Sequence, residues 1–333
     1  MLSFSTASLY RPATQIATSS SATALITGNA RRWMSVRPCN PATVEPLRPK
    51  VTVQALQKMV SKQQRVAVLT AYDFPTATRA DRVGADMTLV GDSLAQVALG
   101  YPTTTRLSLD AMVHHCSAVS RGTARPFLFA DLPFGTHPTP ADGVRAAVRL
   151  VREGGVEGVK IEGGREVVPV IRALVDNGIP VVGHVGLLPT RAADTGFKVQ
   201  GRGARSALRI IEDAAAICEA GAFAVLLEAV PHRVARLITD NLNATGRFTI
   251  GIGAGPETNG QVLVTADALG EWRGHQAKFV RRFAEVGDLA DVGAKAYVDA
   301  VREGSFPDAI QEGYEMLEGE WEKLAAEFAA LKQ

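Results

Sequence analysis

A chain of 333 residues exceeds what one small domain needs and suits one barrel with extensions. Hydrophobic residues make up 46% and charged residues 21%, which excludes a chain disordered throughout, and no apolar run approaches a bilayer span. The formal charge of +2 belongs to the first 48 residues, which hold five arginines and one acid; the rest of the chain carries −2, which speaks against nucleic acid as a partner.

The N-terminal segment is the first feature along the chain. Residues 1–44 contain no Asp, Glu or Lys, while Ser, Thr and Ala are abundant, as in the tract Thr18-Ser19-Ser20-Ser21-Ala22-Thr23-Ala24. This composition predicts an organellar transit peptide over residues 1–48, directed to the mitochondrial matrix rather than a plastid. Arg31-Arg32-Trp33-Met34-Ser35 marks the processing zone. An untargeted disordered tail is the plain alternative. The three cysteines, Cys39, Cys116 and Cys218, share no metal-ligand spacing and suggest no disulfide framework, which fits a reducing compartment.

Beyond Pro49, short apolar runs alternate with helix-like segments. Strands are predicted over 66–70, 87–90, 127–130, 156–161, 180–183, 223–227, 248–252 and 262–264. Most are rich in Val, Ile, Leu or Phe and short, as buried parallel strands are. Between them, 141–153 carries Val144, Val148 and Val151 at helical spacing, and 204–220 carries Leu208, Ile211 and Ala215. Gly154, Gly178 and Gly221 each stand between a helix and the next strand, as C-caps. The linkers 91–106 and 184–203 are long, and long loops are often functional. Residues 305–333, with Met316, Leu317, Trp321, Leu324 and Phe328, read as a final amphipathic helix. Strands alternating with helices predict an α/β fold over a single domain, 49–333. A (β/α)8 barrel suits the strand count, and a doubly wound open sheet is the alternative.

Five successive strands deliver an ionisable residue at their C-terminal edge. The run 87–90 leads into Gly91-Asp92-Ser93, and 127–130 into Asp131. The run 156–161 contains Lys160 and ends in Glu162, 180–183 ends in His184, and 223–227 ends in Glu228. In barrels that edge carries the active site. Any one of these residues alone reads equally as a helix cap or loop ion pair or as part of a site. Five on one rim are harder to dismiss, because buried charges without partners cost several kcal/mol each. Asp73, in Ala71-Tyr72-Asp73, reads equally as a substrate contact or a helix cap.

Asp92, Asp131 and Glu162 form an all-oxygen set that suits a hard cation, Mg²⁺ first. Zinc would bring His or Cys, and only His184 is near. Lys160 and Glu162, two apart on a strand, share a face, so a cation stands beside the metal site to hold a substrate carboxylate. Glu228 suits a general base opposite a metal-bound carbonyl. The run Gly251-Ile252-Gly253-Ala254-Gly255 does not match a dinucleotide signature and reads as tight packing or close ligand approach. His114, His115 and His232 read as ordinary helix or surface residues, and Cys116 and Cys218 as core.

The strings Leu69-Thr70-Ala71-Tyr72-Asp73, Leu89-Val90-Gly91-Asp92-Ser93-Leu94, Ala130-Asp131-Leu132-Pro133-Phe134-Gly135 and Val159-Lys160-Ile161-Glu162-Gly163-Gly164 stand in that order along the chain. Gly183-His184-Val185-Gly186-Leu187, Glu228-Ala229-Val230-Pro231 and Gly260-Gln261-Val262-Leu263-Val264 follow. Together they resemble ketopantoate hydroxymethyltransferase, over about 51–267 with a looser fit to 307. The resemblance implies a (β/α)8 TIM barrel of the phosphoenolpyruvate mutase type, Mg²⁺ dependence and a large homo-oligomer, a decamer being the size to test. It implies transfer of a hydroxymethyl group from 5,10-methylenetetrahydrofolate to 3-methyl-2-oxobutanoate, giving 2-dehydropantoate for pantothenate synthesis through a Mg²⁺-stabilised enolate. Asp92 and Asp131 match the family's metal-binding aspartates, and Glu162 matches the third acid at the metal. Asp92, Ser93 and Lys160 match residues around the oxo acid, Glu228 the base, and His184 a residue lining the pocket. Two departures stand out. Thr190 replaces the family's usual Gln, and the segment 241–248 is longer than usual. An oxo-acid lyase on the same barrel and a non-catalytic scaffold subunit are the rival readings; a catalytic Cys in a rim loop would favour the lyase, and none of the three cysteines lies in one.

Overall fold

The computed structural model describes residues 49–192, 196–271, 273–274 and 276–332. The predicted transit peptide lies outside them. Eight parallel strands close into a barrel in chain order: β1 (Val66–Thr70), β2 (Met87–Val90), β3 (Phe127–Asp131), β4 (Gly158–Glu162), β5 (Val181–Gly186), β6 (Ala224–Glu228), β7 (Phe248–Ile252) and β8 (Gly260–Leu263). β1 pairs with β8 as well as with β2. That ladder closes the sheet, removes its edges and excludes the open-sheet alternative.

β1, β2 and β7 span the predicted residues, whereas β3, β4, β5 and β6 run further toward the rim. The prediction ended each strand where hydrophobicity ended. The ladder continues: Asp131 pairs with Lys160, Glu162 with His184, and Gly186 with Glu228. Main-chain pairing is indifferent to side-chain polarity, so the ionisable residues sit on rigid backbone. β8 begins at Gly260, two residues before the prediction, where a Cβ would come 2.6 Å from the Val66 carbonyl oxygen.

Side chains alternate between the barrel interior and the surrounding helices. Val90, Leu128, Ala130, Val159, Ile161, Val225 and Leu227 belong to the outer core, where they meet helical residues such as Met112, Ala147, Ile171 and Ile217. Val68, Met87, Phe127, Phe129, Val182, Leu226, Phe248 and Ile250 fill the interior. A helix the sequence reading did not predict, α1 (Val53–Ser61), is capped by Thr52 and drives Leu56 into this inner cluster. α2 (Phe74–Arg82) begins at Asp73, whose carboxylate accepts from Thr76 N at 2.8 Å in a capping box. The capping reading of Asp73 is therefore the one the structure realises.

The two predicted helices appear as Pro140–Arg152 and Ala204–Glu219. Gly178 and Gly221 take the left-handed backbone of a cap, at φ +77° and +111°. After Pro140–Arg152 that role falls to Gly155, at φ +75°, and not to Gly154. A Cβ at Gly154 would stand 2.8 Å from Cys116 Cβ, so packing accounts for that glycine. Beyond β8 the chain forms a short helix, Thr265–Ala268, then α-helices Val286–Glu303 and Glu318–Ala330. The predicted tail helix over 305–333 is thus shorter and preceded by a longer one. Neither of these two helices has a buried residue. No helix among the described residues is long and apolar enough to cross a membrane.

Candidate active site

The inward rows of β3 to β6 change character along their length. Phe127 and Phe129 precede Asp131; Gly158 precedes Lys160 and Glu162; Val182 precedes His184; Ala224 and Leu226 precede Glu228. The charged ends meet in one cavity at the C-terminal mouth, also lined by Asp92 and Ser93 from the loop after β2. All seven residues singled out from the sequence therefore come together. The two long linkers contribute as well, the first through Gln96 and Thr104, the second through Pro189 and Phe197.

Lys160 is the hub. Its Nζ stands 3.1 Å from Asp131 Oδ1, 3.7 Å from Glu162 Oε1 and 2.9 Å from His184 Nδ1. Asp131 Oδ2 accepts from Asp92 N at 2.9 Å, which ties the β2 loop to β3. An ammonium can only donate, so His184 Nδ1 is the acceptor and the imidazole proton resides on Nε2. That nitrogen faces Glu228 Oε2 at 3.4 Å. His184 is held well below its ordinary pKa by burial and by the Lys160 charge, consistent with a neutral ring.

Burial would lower the pKa of Lys160, but Asp131, Glu162 and Asp92 outweigh it and the net shift is upward. The acids move up too. Burial raises Asp92 well above the carboxylate range, with Asp131 and Glu162 adding repulsion. Burial also raises Asp131, against the opposing effects of Lys160 and the Asp92 amide. Glu228 is pushed up to about 8 by burial, with Lys160 opposing. Four carboxylates thus face one ammonium across a buried cavity, a charge imbalance that favours protonation or a bound cation.

The donor set fits a hard divalent cation. Asp131 Oδ1 and Glu162 Oε1 are buried without a hydrogen-bond partner among the described residues; Asp131 Oδ1 meets Lys160 as an ion pair without hydrogen-bond alignment. Among the described residues no group of three or more His, Cys, Asp or Glu side chains is placed to hold a metal ion by itself. An ion that keeps most of its waters and takes one or two carboxylates plus substrate oxygens needs no such cage, and that is how Mg²⁺ is commonly held.

Several contacts escaped the sequence reading. Tyr72 OH lies 2.8 Å from Ser93 Oγ, fixing the hydroxyl at the mouth. His115, read as ordinary, places Nδ1 2.6 Å from the Tyr72 carbonyl oxygen, so Nδ1 carries the proton and pins that turn. Thr190, noted only as a departure, donates its backbone N–H (3.2 Å) and its hydroxyl to Glu162 Oε2. The glycines of the 251–255 run serve packing: a Cβ on Gly251 would meet Thr258 Oγ1 at 2.7 Å, and one on Gly253 would meet the Phe279 ring at 2.7 Å. Cys116 and Cys218 are buried in helices, as read.

A family model described as ketopantoate hydroxymethyltransferase matches residues 50–309. The 3-methyl-2-oxobutanoate hydroxymethyltransferase of Oleidesulfovibrio alaskensis is 51% identical over 265 residues, covering 78% of this chain and 90% of that protein. The protein of the same name from Moorella thermoacetica is 47% identical over 263 residues, covering 78% and 97%. Among solved structures, 2,3-dimethylmalate lyase, a PEP mutase/isocitrate lyase superfamily member, aligns with a TM-score of 0.51 at 17% identity, over 86% of this chain and 95% of that one. At that identity the likeness shows the barrel type alone.

Proposed function

The chain belongs to the ketopantoate hydroxymethyltransferase family and is a hydroxymethyltransferase; on that premise we propose that it moves a one-carbon unit from 5,10-methylenetetrahydrofolate to 3-methyl-2-oxobutanoate, giving 2-dehydropantoate. The observation that carries the reading is the placement of Glu228 against His184 Nε2, on the far side of His184 from Lys160 and the acids. The cavity offers a cation for a carboxylate, a carboxylate base, and apolar walls for a branched side chain.

Lys160 Nζ and Ser93 Oγ would hold the oxo acid's carboxylate and carbonyl oxygens, with Tyr72 fixing the Ser93 hydroxyl. Leu89, Leu226, Ile252 and Val262 line the same cavity and suit the two methyl groups. Asp92, Asp131 and Glu162 would hold Mg²⁺, which when bound supplies Lewis acidity to a carbonyl whose neighbouring C–H is otherwise too weakly acidic for a carboxylate. Glu228 takes the C3 proton, and His184 Nε2–H steadies the carboxylate that does so. The C3 carbanion equivalent attacks the donor's one-carbon unit, both methylene–nitrogen bonds break, water supplies the hydroxyl as OH, and the two freed nitrogens take the remaining water proton and the proton that Glu228 removed from C3.

The test is deuterium exchange at C3 of 3-methyl-2-oxobutanoate in D₂O, followed by NMR with Mg²⁺ and with EDTA. Wild type should exchange only with the metal, and Glu228→Gln should exchange about 10²–10⁴-fold more slowly while remaining folded. Equal exchange in Glu228→Gln would remove Glu228 as the base. Absence of exchange in folded, Mg²⁺-loaded wild type, with tetrahydrofolate added, would remove the reaction.

Two further features support wider parts of the proposal. Leu289, Val292, Trp321, Leu324 and Phe328 are exposed on helices that bury nothing within the chain, which supports a homo-oligomer that covers them; sedimentation of the intact protein reads its size. The Ser- and Arg-containing leader, free of acids over residues 1–44, supports import into the mitochondrial matrix, which a fluorescent fusion with and without residues 1–48 tests.

A further inference from the structure

The residues assigned above occupy the inner part of the cavity and are enough for a small branched oxo acid. The outer lining is left over. It includes Asp267 from the short helix after β8, Phe279 from the segment that follows, and Phe197 from the loop after β5.

Asp267 is half-buried. Burial raises its carboxyl pKa, and Arg282, the charge that faces it, opposes that shift. Arg282 itself reaches Glu285 at 3.2 Å. Asp267 lines the same cavity as the catalytic groups, and a carboxylate can accept through both oxygens. Phe279 lies against the backbone of Gly253, just past the end of β7, close enough that any Cβ there would strike the ring. The glycine run that matched no nucleotide motif thus seats an aromatic ring at the mouth. Phe279 is 37% exposed and Phe197 66%. Both are apolar rings facing a polar, water-accessible mouth, where exposure of a large apolar side chain commonly marks a binding surface.

We propose that Asp267, Phe279 and Phe197 form the seat for the pterin ring of the folate donor, the carboxylate reading the ring's N–H edge and the phenyl rings covering its face. This rests on the reaction proposed above. Any donor must approach C3 from the mouth, because the opposite end of the barrel is packed with side chains. A reduced pterin presents an amide N–H beside an exocyclic amino group, a paired donor edge that matches one carboxylate as a guanidinium does. Its flat body is suited to stacking against aromatic side chains. A neutral apolar donor would offer the Asp267 carboxylate no hydrogen bond, and an anionic one would be repelled by it. The negatively charged glutamate end of folate is accordingly directed outward, away from Asp267.

The experiment is calorimetric titration of the full-length protein, Mg²⁺-loaded, with tetrahydrofolate and separately with 6-methyltetrahydropterin, under anaerobic conditions. Wild type, Asp267→Asn and Phe279→Leu are compared, and each variant's thermal melt is recorded. Wild type should bind both probes. Asp267→Asn should weaken both by about tenfold or more, and Phe279→Leu by about threefold to tenfold. Affinity for 3-methyl-2-oxobutanoate should stay within about twofold in each, which a general structural lesion would not allow. Unchanged affinity of Asp267→Asn for both probes would overturn the proposal. So would wild type that binds tetrahydrofolate but not the pterin, since recognition would then lie in the tail of the donor. If Asp267→Asn does not fold, Phe279→Leu decides, and an unchanged pterin affinity there overturns the seat. Failure of the underlying reaction is visible separately, as absence of C3 exchange in wild type.

Discussion

The two ends of the barrel are built from the same eight strands and yet are opposites. At the N-terminal end the interior is dry and aromatic: Phe127 and Phe223 meet edge to face at 5.6 Å, Phe223 and Phe248 lie 5.9 Å apart, and Leu56 plugs the opening. Two or four residues further along the same inward rows stand Asp131, Lys160, Glu162, His184 and Glu228. The difference teaches how the site is held. A buried, charged cluster costs free energy, and here it is carried by rows whose other ends gain it back through apolar burial. Stability and chemistry are thus separated along the strand axis by a few residues.

The largest break in this contrast is expected at Lys160. Lys160→Met removes the one ammonium among four carboxylates. It should lower kcat/KM by about 10²–10³-fold or more, as loss of a buried charge partner does. It should also destabilise the fold by about 3–5 kcal/mol at neutral pH. The acids it leaves behind already have raised affinities for protons. The deficit should therefore shrink as pH falls and they become neutral, and grow as pH rises. Urea unfolding at pH 6 and pH 8.5 measures this; a deficit independent of pH would mean that charge pairing is not what Lys160 contributes. The opposite end supplies the control. Phe248, 1% exposed, should cost about 3–5 kcal/mol as Phe248→Ala, while the folded fraction keeps kcat within about twofold. A large fall in kcat there would show that the two ends are not separable.

Glu228 sharpens the comparison through pH. Its folded pKa is raised from 4.5 to about 8, so folding favours its neutral form. The stability this group contributes is fully present below its ordinary value and is lost as pH rises through about 8. As a base it works in the ionised form, so its activity runs the other way and rises toward that pH. Measured against Glu228→Gln, which cannot titrate, wild type should lose melting temperature progressively between about pH 5 and 9. A constant difference across that range would mean that Glu228 is already ionised when folded.

Much of this was legible in the sequence because apolar runs and the residues after them are local signals. The parallel α/β alternation, six ionisable site residues and the shared face of Lys160 and Glu162 followed from strand periodicity and from what stood past each run, while the choice of a barrel over an open sheet and the role of Ser93 came from the family resemblance. Strand ends were misjudged because hydrophobicity reports the apolar layers of the barrel, while the ladder pairs main chain through Asp131, Glu162 and Glu228 regardless. His115 was passed over because its partner is a backbone carbonyl 43 residues away, which no side-chain pattern encodes. Asp267 and Phe279 come from beyond β8 and reach the mouth only when the barrel closes on β1. The helix α1 has its N-cap at Thr52, but it lies before the first strand, where β/α alternation gave no reason to look.

The smallest effect is expected at Thr190, where the family resemblance implies a Gln. Its backbone N–H and its hydroxyl both address Glu162 Oε2. That leaves Oε1 facing the cavity, with no hydrogen-bond partner among the described residues and with Lys160 and His184 at 3.7 and 3.6 Å. The hydroxyl thus sets which Glu162 oxygen is available to an ion. Thr190→Val keeps the shape and the backbone donor and removes only the hydroxyl, a loss of about 1–2 kcal/mol for a bond to a charged group. Mg²⁺ affinity and kcat should each fall by up to about tenfold, with oxo-acid binding in EDTA little changed. Thr190→Ser, which restores the hydroxyl, should recover both, and Thr190→Gln asks whether the family's longer donor reaches the same oxygen. If Thr190→Val binds Mg²⁺ as wild type does, Glu162 is oriented without its help, and the departure at this position is silent for the site.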